Sequence, residues 1–239
     1  MSEELIESGF LIHQRPYRER SLLLELFTIG MGRVSAVCHM SKKGEASYRA
    51  SLRPFEPLGF TLIKRRSELL ILKEVQVRER VAAIATPEIF CAEYLNELLH
   101  YLYRDDAGDP KLFACYIRAL EILRSSPSKE DLEDALRNFE LLLLDTLGYA
   151  PDFRCIDGLW DNGAYYTFVP DTGFVKTNTL EPSFILGDDL NELQRGENLS
   201  PRARRALKII TSRALAVLLK GKSLKSRELY ADFLKLTSR

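Results

Sequence analysis

The side chains able to do chemistry here are mostly cations, and rings accompany them. Between positions 15 and 53 lie Arg15, Arg18, Arg20, Arg33, Lys42, Lys43, Arg49 and Arg53, with Tyr17, Tyr48 and Phe55 interleaved. Cations at this density hold phosphates, and unpaired bases stack on rings at about 1–3 kcal/mol each. A solvated loop with its aromatics packed inward fits the same spacing equally well. A second set, Arg202, Arg205 and Lys208, recurs every three residues. Catalytic patterns are missing: there is no P-loop, G-x-S-x-G, G-x-G-x-x-G or H-E-x-x-H. His13, His39 and His100 have no His or Cys at metal-ligand spacing. The acid pairs Asp105–Asp106 and Asp188–Asp189 fall in polar connectors and read as solvated loops, because catalytic carboxylates need rigid neighbours. Cys38, Cys91, Cys115 and Cys155 form no C-x-x-C pair and read as reduced thiols. The expectation is a protein that is not an enzyme, with no catalytic residues, no metal and no cofactor.

The chain has 239 residues, with 34 basic and 34 acidic groups. A net charge of zero argues at first against a nucleic-acid binder, which usually has a basic excess. The charge is unevenly spread, however. Residues 1–80 carry a net +4, 81–145 a net −7, 146–200 a net −6 and 201–239 a net +9. Basic ends around an acidic middle point to a polyanionic partner, and the two ends are expected to lie on one side of the molecule. No apolar run approaches the roughly 20 residues that span a bilayer. The acidic start MSEELIESGF lacks the basic and apolar regions of a signal peptide. The expected location is therefore the cytoplasm, in association with the nucleoid.

These side chains need elements to hold them. Period-two alternation predicts strands over 11–14, 21–28, 33–39, 59–63 and 69–77, the pattern of a small closed barrel. The polar stretch 40–51 reads as a loop between strands. Helical spacing begins near Thr86–Pro87–Glu88, read as an N-cap, a first-turn proline and an acid. Asp109–Pro110 opens a second helix. Ser128 with Asp131 opens a third, which stops at Gly148. Ser200–Pro201 opens a last one, with Leu207, Ile210, Ala214, Val217 and Leu218 on its apolar stripe. Residues 149–199 are glycine-rich and irregular, with one short strand over 165–169. The fold class expected is α+β and multidomain: a barrel over 1–80 and a helical domain over 81–239, with 149–199 as an insertion.

The order of several motifs then resembles a known family. Gly9–Glu19 (GFLIHQRPYRE), Ser21–Leu24, Gly32-Arg33-Val34 and Leu52–Leu58 (LRPFEPL) resemble the opening of the RecO family of bacterial DNA repair proteins. Asn96–Leu99, Arg137–Leu144 (RNFELLLL) with Leu147-Gly148-Tyr149, and Leu224–Leu229 continue it to the tail. The resemblance implies an N-terminal OB-fold, a helical domain and a small treble-clef-like insertion. It also implies a recombination mediator without turnover. Such a protein binds single- and double-stranded DNA, anneals complementary strands and docks the C-terminal tail of the single-strand-binding protein SSB. With RecR it promotes RecA loading onto SSB-coated DNA.

By the same resemblance Arg33, Lys42, Lys43 and Arg49 are DNA-binding positions, joined from the charge pattern by Arg15, Arg202, Arg205 and Lys208. Arg137 resembles part of the SSB-tail site, where an arginine suits a carboxylate-terminated acidic peptide. Arg205, Lys208, Lys225 and Arg227 match basic positions with no settled role. Two departures stand out. His39 replaces a lysine after the G-R-V motif. Of the four zinc-binding cysteines that many relatives carry in the insertion, only Cys155 remains, so the expectation is a zinc-free insertion held by Phe153, Tyr165, Phe168 and Phe174. Two other readings remain. One is a generic OB-fold protein that binds single-stranded DNA or RNA without mediator activity. The other is an enzyme that uses the acidic middle.

Overall fold

In a computed structural model the described residues are 3–40, 50–65, 69–104, 107–178, 183–196 and 199–237. Alternation in the first eighty positions builds five strands: β1 Glu3–Pro16, β2 Ser21–Thr28, β3 Gly32–His39, β4 Leu58–Lys64 and β5 Leu70–Val77. They close in the order β1-β2-β3-β5-β4, with β3 and β5 parallel and the other pairs antiparallel. This is an OB-fold barrel. One face of each strand fills it: Leu11, Leu24, Leu26, Val34, Ala36, Cys38, Phe60, Leu62 and Leu72 are buried together. Desolvation there pushes the Cys38 thiol up to about 11.

β1 is longer than its apolar core predicts. Its first half is acidic and largely exposed, yet pairs with β4 from Glu3 to Gly9, and its second half pairs with β2. Gly9 is the point of exchange, opposite both Thr28 and Leu58. A Cβ there would stand 2.2 Å from the Phe27 carbonyl oxygen, so only glycine fits.

Two helices cover the outer face of β1 and β2: α1 Glu88–Leu102 and α2 Pro110–Arg124. Phe10 and Phe27 point away from the barrel core and meet Phe113 and Tyr116 of α2 at ring-centroid distances of 5.1–5.8 Å. Asp109 caps α2 as its sequence predicts, its Oδ1 accepting from the Lys111 and Leu112 amides at 2.9 and 3.1 Å. The start of α1 differs from expectation. Pro87, not Thr86, stands at the N-cap, after a cis Thr86–Pro87 bond, and no side chain caps the helix.

The chain forms two compact units. The first is Met1–Ser128 together with Leu224–Arg239, and the second is Lys129–Ser223. The strand-to-helix change near residue 80 falls inside the first unit, whose last helix comes from the C-terminal end. The basic segment 201–239 is thus divided between the two units.

The second unit contains α3 Lys129–Thr146, a sheet ordered β7-β6-β8 (β6 Tyr165–Val169, β7 Gly173–Thr177, β8 Ile185–Leu186), α4 Gly187–Arg195 and α5 Pro201–Leu219. The insertion is more regular than its glycines suggest. Phe153, Trp160, Tyr166, Phe168 and Phe174 form one ring cluster at 5.2–5.9 Å. Tyr165 faces Phe184 instead. Two α4 side chains also tie down the turn at 155–160. Gln194 accepts from the Cys155 amide and donates to the Gly158 carbonyl, both at 2.9 Å. Asn191 accepts from the Trp160 amide at 2.8 Å and donates to its carbonyl at 2.9 Å. The Asp188–Asp189 pair is not a solvated loop. It lies in the first turn of α4, where negative charge suits the helix dipole, and Asp189 is buried. α6 Lys225–Thr237 returns to the first unit, where Phe90 of α1 meets Tyr230 and Phe233. Its N-terminus is held by Glu97, which accepts from the Lys225 and Ser226 amides and the Ser226 hydroxyl.

Candidate functional site

The second unit gathers a dense set of cations. Ser200 caps α5, its Oγ accepting from the Ala203 amide at 3.2 Å, with Pro201 as the first helical residue. That start fixes the helix phase, so Pro201, Arg204, Arg205 and Lys208 fall on one face. In α3, Glu130, Glu133, Asp134 and Arg137 share a face by the same spacing. The two helices pack together, and a cavity of about 960 Å³ opens beside them. Its cationic lining is Lys129, Arg137, Arg204, Arg205, Lys208 and Arg213. Glu130, Glu133 and Asp134 are the acids, and Leu199, Leu207 and Ile209 give it an apolar wall.

These cations are not equivalent. Arg137 is nearly buried, its Nη2 2.5 Å from Glu140 Oε1, and its Nε has no hydrogen-bond partner. Arg204 is engaged with the Asp134 carboxylate and the Leu199 carbonyl. Arg213 braces α5 on the sheet, donating to Thr167 Oγ1, the Phe168 carbonyl and Ser183 Oγ. Arg205 and Lys208 are exposed and make no ion pair among the described residues. Three of the expected site residues, Arg137, Arg205 and Lys208, therefore meet in one cavity. Arg202 does not join them. Its Nε is 2.5 Å from the buried Asp189 Oδ1, which holds it toward α4.

In the first unit the expected DNA-binding residues scatter. Arg33 Nη1 sits 2.5 Å from Glu25 Oε2 and 3.3 Å from the His100 carbonyl, and the same Glu25 oxygen is 2.8 Å from His100 Nδ1. Burial alone would raise the Glu25 carboxyl. The hydrogen bonds and charges of His100 and Arg33 outweigh it and hold the group below its ordinary range. Arg15 is exposed on β1. The Arg18 guanidinium stands over the Tyr17 ring at 5.2 Å. Lys42, Lys43, Arg49 and Tyr48 lie outside the described residues. Phe55 packs inward rather than offering a stacking surface, being buried with its carbonyl accepting from Arg124. His39 Nδ1 is 3.0 Å from Ser21 Oγ, and Arg227 covers the Tyr94 ring at 5.1 Å.

Sequence reasoning passed over Arg204, Arg213 and Glu25, and read His100 only as a histidine without metal-ligand spacing. A signal for Glu25 existed: it alternates out of phase with Leu24 and Leu26, and the hairpin register sets it opposite Ser35, diagonal to Arg33. The contacts of His100 and Arg213 come from residues far apart in sequence, and no local pattern marks them.

Residues 1–80 match the family model described as Recombination protein O N terminal, and residues 87–228 the one described as Recombination protein O C terminal. The chain belongs to the RecO family of DNA repair proteins. It is 35% identical over 239 residues to DNA repair protein RecO of Tolumonas auensis, covering 98% of each chain. It is 34% identical to that of Pseudoalteromonas atlantica, covering 93% of this chain and 92% of the relative. The Serratia proteamaculans protein shares 33% identity, over 96% and 94%. Among the described residues no helix is long and apolar enough to cross a membrane.

Proposed function

We propose that the chain is a recombination mediator that works by binding rather than by turnover. It binds single- and double-stranded DNA and anneals complementary strands. With RecR it promotes RecA loading onto SSB-coated DNA. The observation that carries this reading is the cavity where Arg137, Arg205 and Lys208 meet the apolar wall of Leu199, Leu207 and Ile209. An acidic, carboxylate-terminated peptide, as the resemblance implies for the SSB tail, matches the cations. A guanidinium is a strong donor to a carboxylate. The exposed cations of the barrel supply phosphate contacts of the kind that make binding salt-dependent.

The test is titration of the full chain with a labelled SSB tail peptide. Saturable binding is expected. The double variant Arg205→Ala/Lys208→Ala, both at exposed positions, should weaken it at least tenfold while binding to naked single strands persists. Absence of tail binding by the unaltered chain overturns the docking mechanism. DNA binding with no response to SSB would then favour a generic OB-fold binder.

A further inference from the structure

Cations collect where β1, α1 and the start of α6 meet, all within the first unit. Beyond the irregularity at Leu11–His13, the hairpin sets His13 opposite Glu25 and Arg15 opposite Leu23. His13 and Arg15 are two residues apart and so share one face of the strand. His13 lines a cavity of about 320 Å³ together with Glu93, Glu97 and His100 of α1 and Lys225 of α6. Its ring stacks on His100, with centroids 4.4 Å apart. The side chains of His13, Arg15 and Lys225 are exposed and make no ion pair or hydrogen bond among the described residues.

Three acids stand nearby, and none pairs with these side chains among the described residues. Glu25 is engaged by Arg33 and His100. Glu97 is engaged by the Lys225 and Ser226 amides and the Ser226 hydroxyl. Glu93 is half-buried, and burial, then the charge of Glu97, push its carboxyl above the ordinary range. His13 is therefore crowded by like charge. Desolvation first, then the charge of His100, hold its pKa below the ordinary imidazole value; Arg15 and Lys225 add to this and Glu25 opposes it.

An imidazole placed between two cations resists protonation until negative charge arrives. An anion seated among His13, Arg15 and Lys225 would satisfy both cations and reverse the sign of that effect. The three groups are exposed and come from two separate elements, a strand and a helix. That spread suits the repeated charges of a nucleic-acid backbone better than one enclosed carboxylate.

We propose that His13, Arg15 and Lys225 form a proton-linked phosphate site, in which a backbone phosphate of single-stranded DNA binds and His13 takes up a proton from solvent as it does so. The inference rests on the reading that the chain binds single strands. The phosphodiester stays ionised throughout, so the proton goes to the imidazole, which then donates to a phosphate oxygen. The ligand chemistry is a phosphate, and the source assigned is a strand rather than the free ion. The sign follows from linkage. His13 has a lowered pKa in the free chain and a raised one beside the phosphate. Between those two values affinity rises as pH falls, by up to about tenfold per pH unit.

The test follows oligo-dT binding to the full chain by fluorescence anisotropy at fixed salt, from about pH 8 to about pH 6, around the ordinary imidazole value. Affinity should rise about three- to tenfold as pH falls. His13→Gln keeps a polar side chain that does not titrate. It should match the unaltered chain at the high-pH end and lose the rise. Lys225→Ala should reduce the salt slope by about 1. As a second readout, the His13 ring resonance should report a higher pKa with oligo-dT than without it. A rise that survives in His13→Gln, an unchanged slope in Lys225→Ala, or a His13 pKa that oligo-dT leaves unmoved overturns the proposal and leaves DNA binding intact. So does an equal His13 shift with inorganic phosphate at the same phosphate concentration, which would assign the site to the free ion. Failure of oligo-dT to bind at any pH overturns the DNA reading itself and this inference with it.

Discussion

Arg33 and Arg137 each meet a glutamate at 2.5 Å, one in each unit, and each has an Nε without a partner. Their surroundings separate them. Glu25 is shared between Arg33 and His100, so three groups from β2, β3 and α1 lock the barrel to its covering helix. The Arg137–Glu140 pair lies within one helix, and Arg137 lines a large cavity. The same chemistry acts as a brace where protein surrounds it and, on the function proposed, as a docking point where space adjoins it. A motif arginine thus declares its charge in sequence, while its role is decided by what packs around it.

Substitution can break this contrast. Arg137→Ala removes a charged partner of the buried Glu140 and should cost about 2–3 kcal/mol, as for hydrogen bonds to charged groups. Chemical denaturation measures the loss, and tail-peptide binding should fall with it. Arg33→Ala leaves Glu25 its His100 contact, so a smaller loss of about 1–2 kcal/mol is expected. It should also change the acid limb. Glu25 has a lowered pKa in the folded state, so its contribution is present above the ordinary carboxylate range and is lost as pH falls through the lowered value. Without Arg33 the acid-unfolding midpoint should rise toward neutrality; an unmoved midpoint would deny the brace.

Smaller effects sharpen the comparison. Gln194→Ala removes both bonds to the 155–158 turn and should cost about 1 kcal/mol. Hydrogen exchange at the Cys155 amide should quicken while the barrel amides stay protected. Arg205→Ala and Lys208→Ala should each change stability by no more than about 0.5 kcal/mol. If the α5 face also contacts phosphates, each should reduce the salt slope of DNA binding by about 1. An unchanged slope would confine that face to the peptide.

The barrel was largely legible because its alternation is strict: Leu24, Leu26, Val34, Ala36 and Cys38 all reach the core their period assigns. Helix starts at Asp109 and Ser200 were legible because capping is local chemistry. What escaped was either solvent-facing or non-local. The first half of β1 and all of α6 bury few side chains, so neither writes a core stripe. α4 is short and opens on two acids, which resemble a loop until Asp189 is seen beneath Arg202. The cavity residues Arg137 and Arg205 were visible as cations. Their meeting depends on how α3 and α5 pack, which no spacing rule encodes. The insertion resisted because glycines mask a core made of rings from five separate positions.

The placement of α6 has a consequence for synthesis. Glu97 and Phe90 emerge early, yet the helix they hold begins at Leu224, after the whole second unit. At ribosomal rates of about 5–20 residues per second, the intervening segment takes on the order of ten seconds to make. Throughout that interval Phe90 and Glu97 lack the helix that meets them. The first unit to appear is the last to be finished.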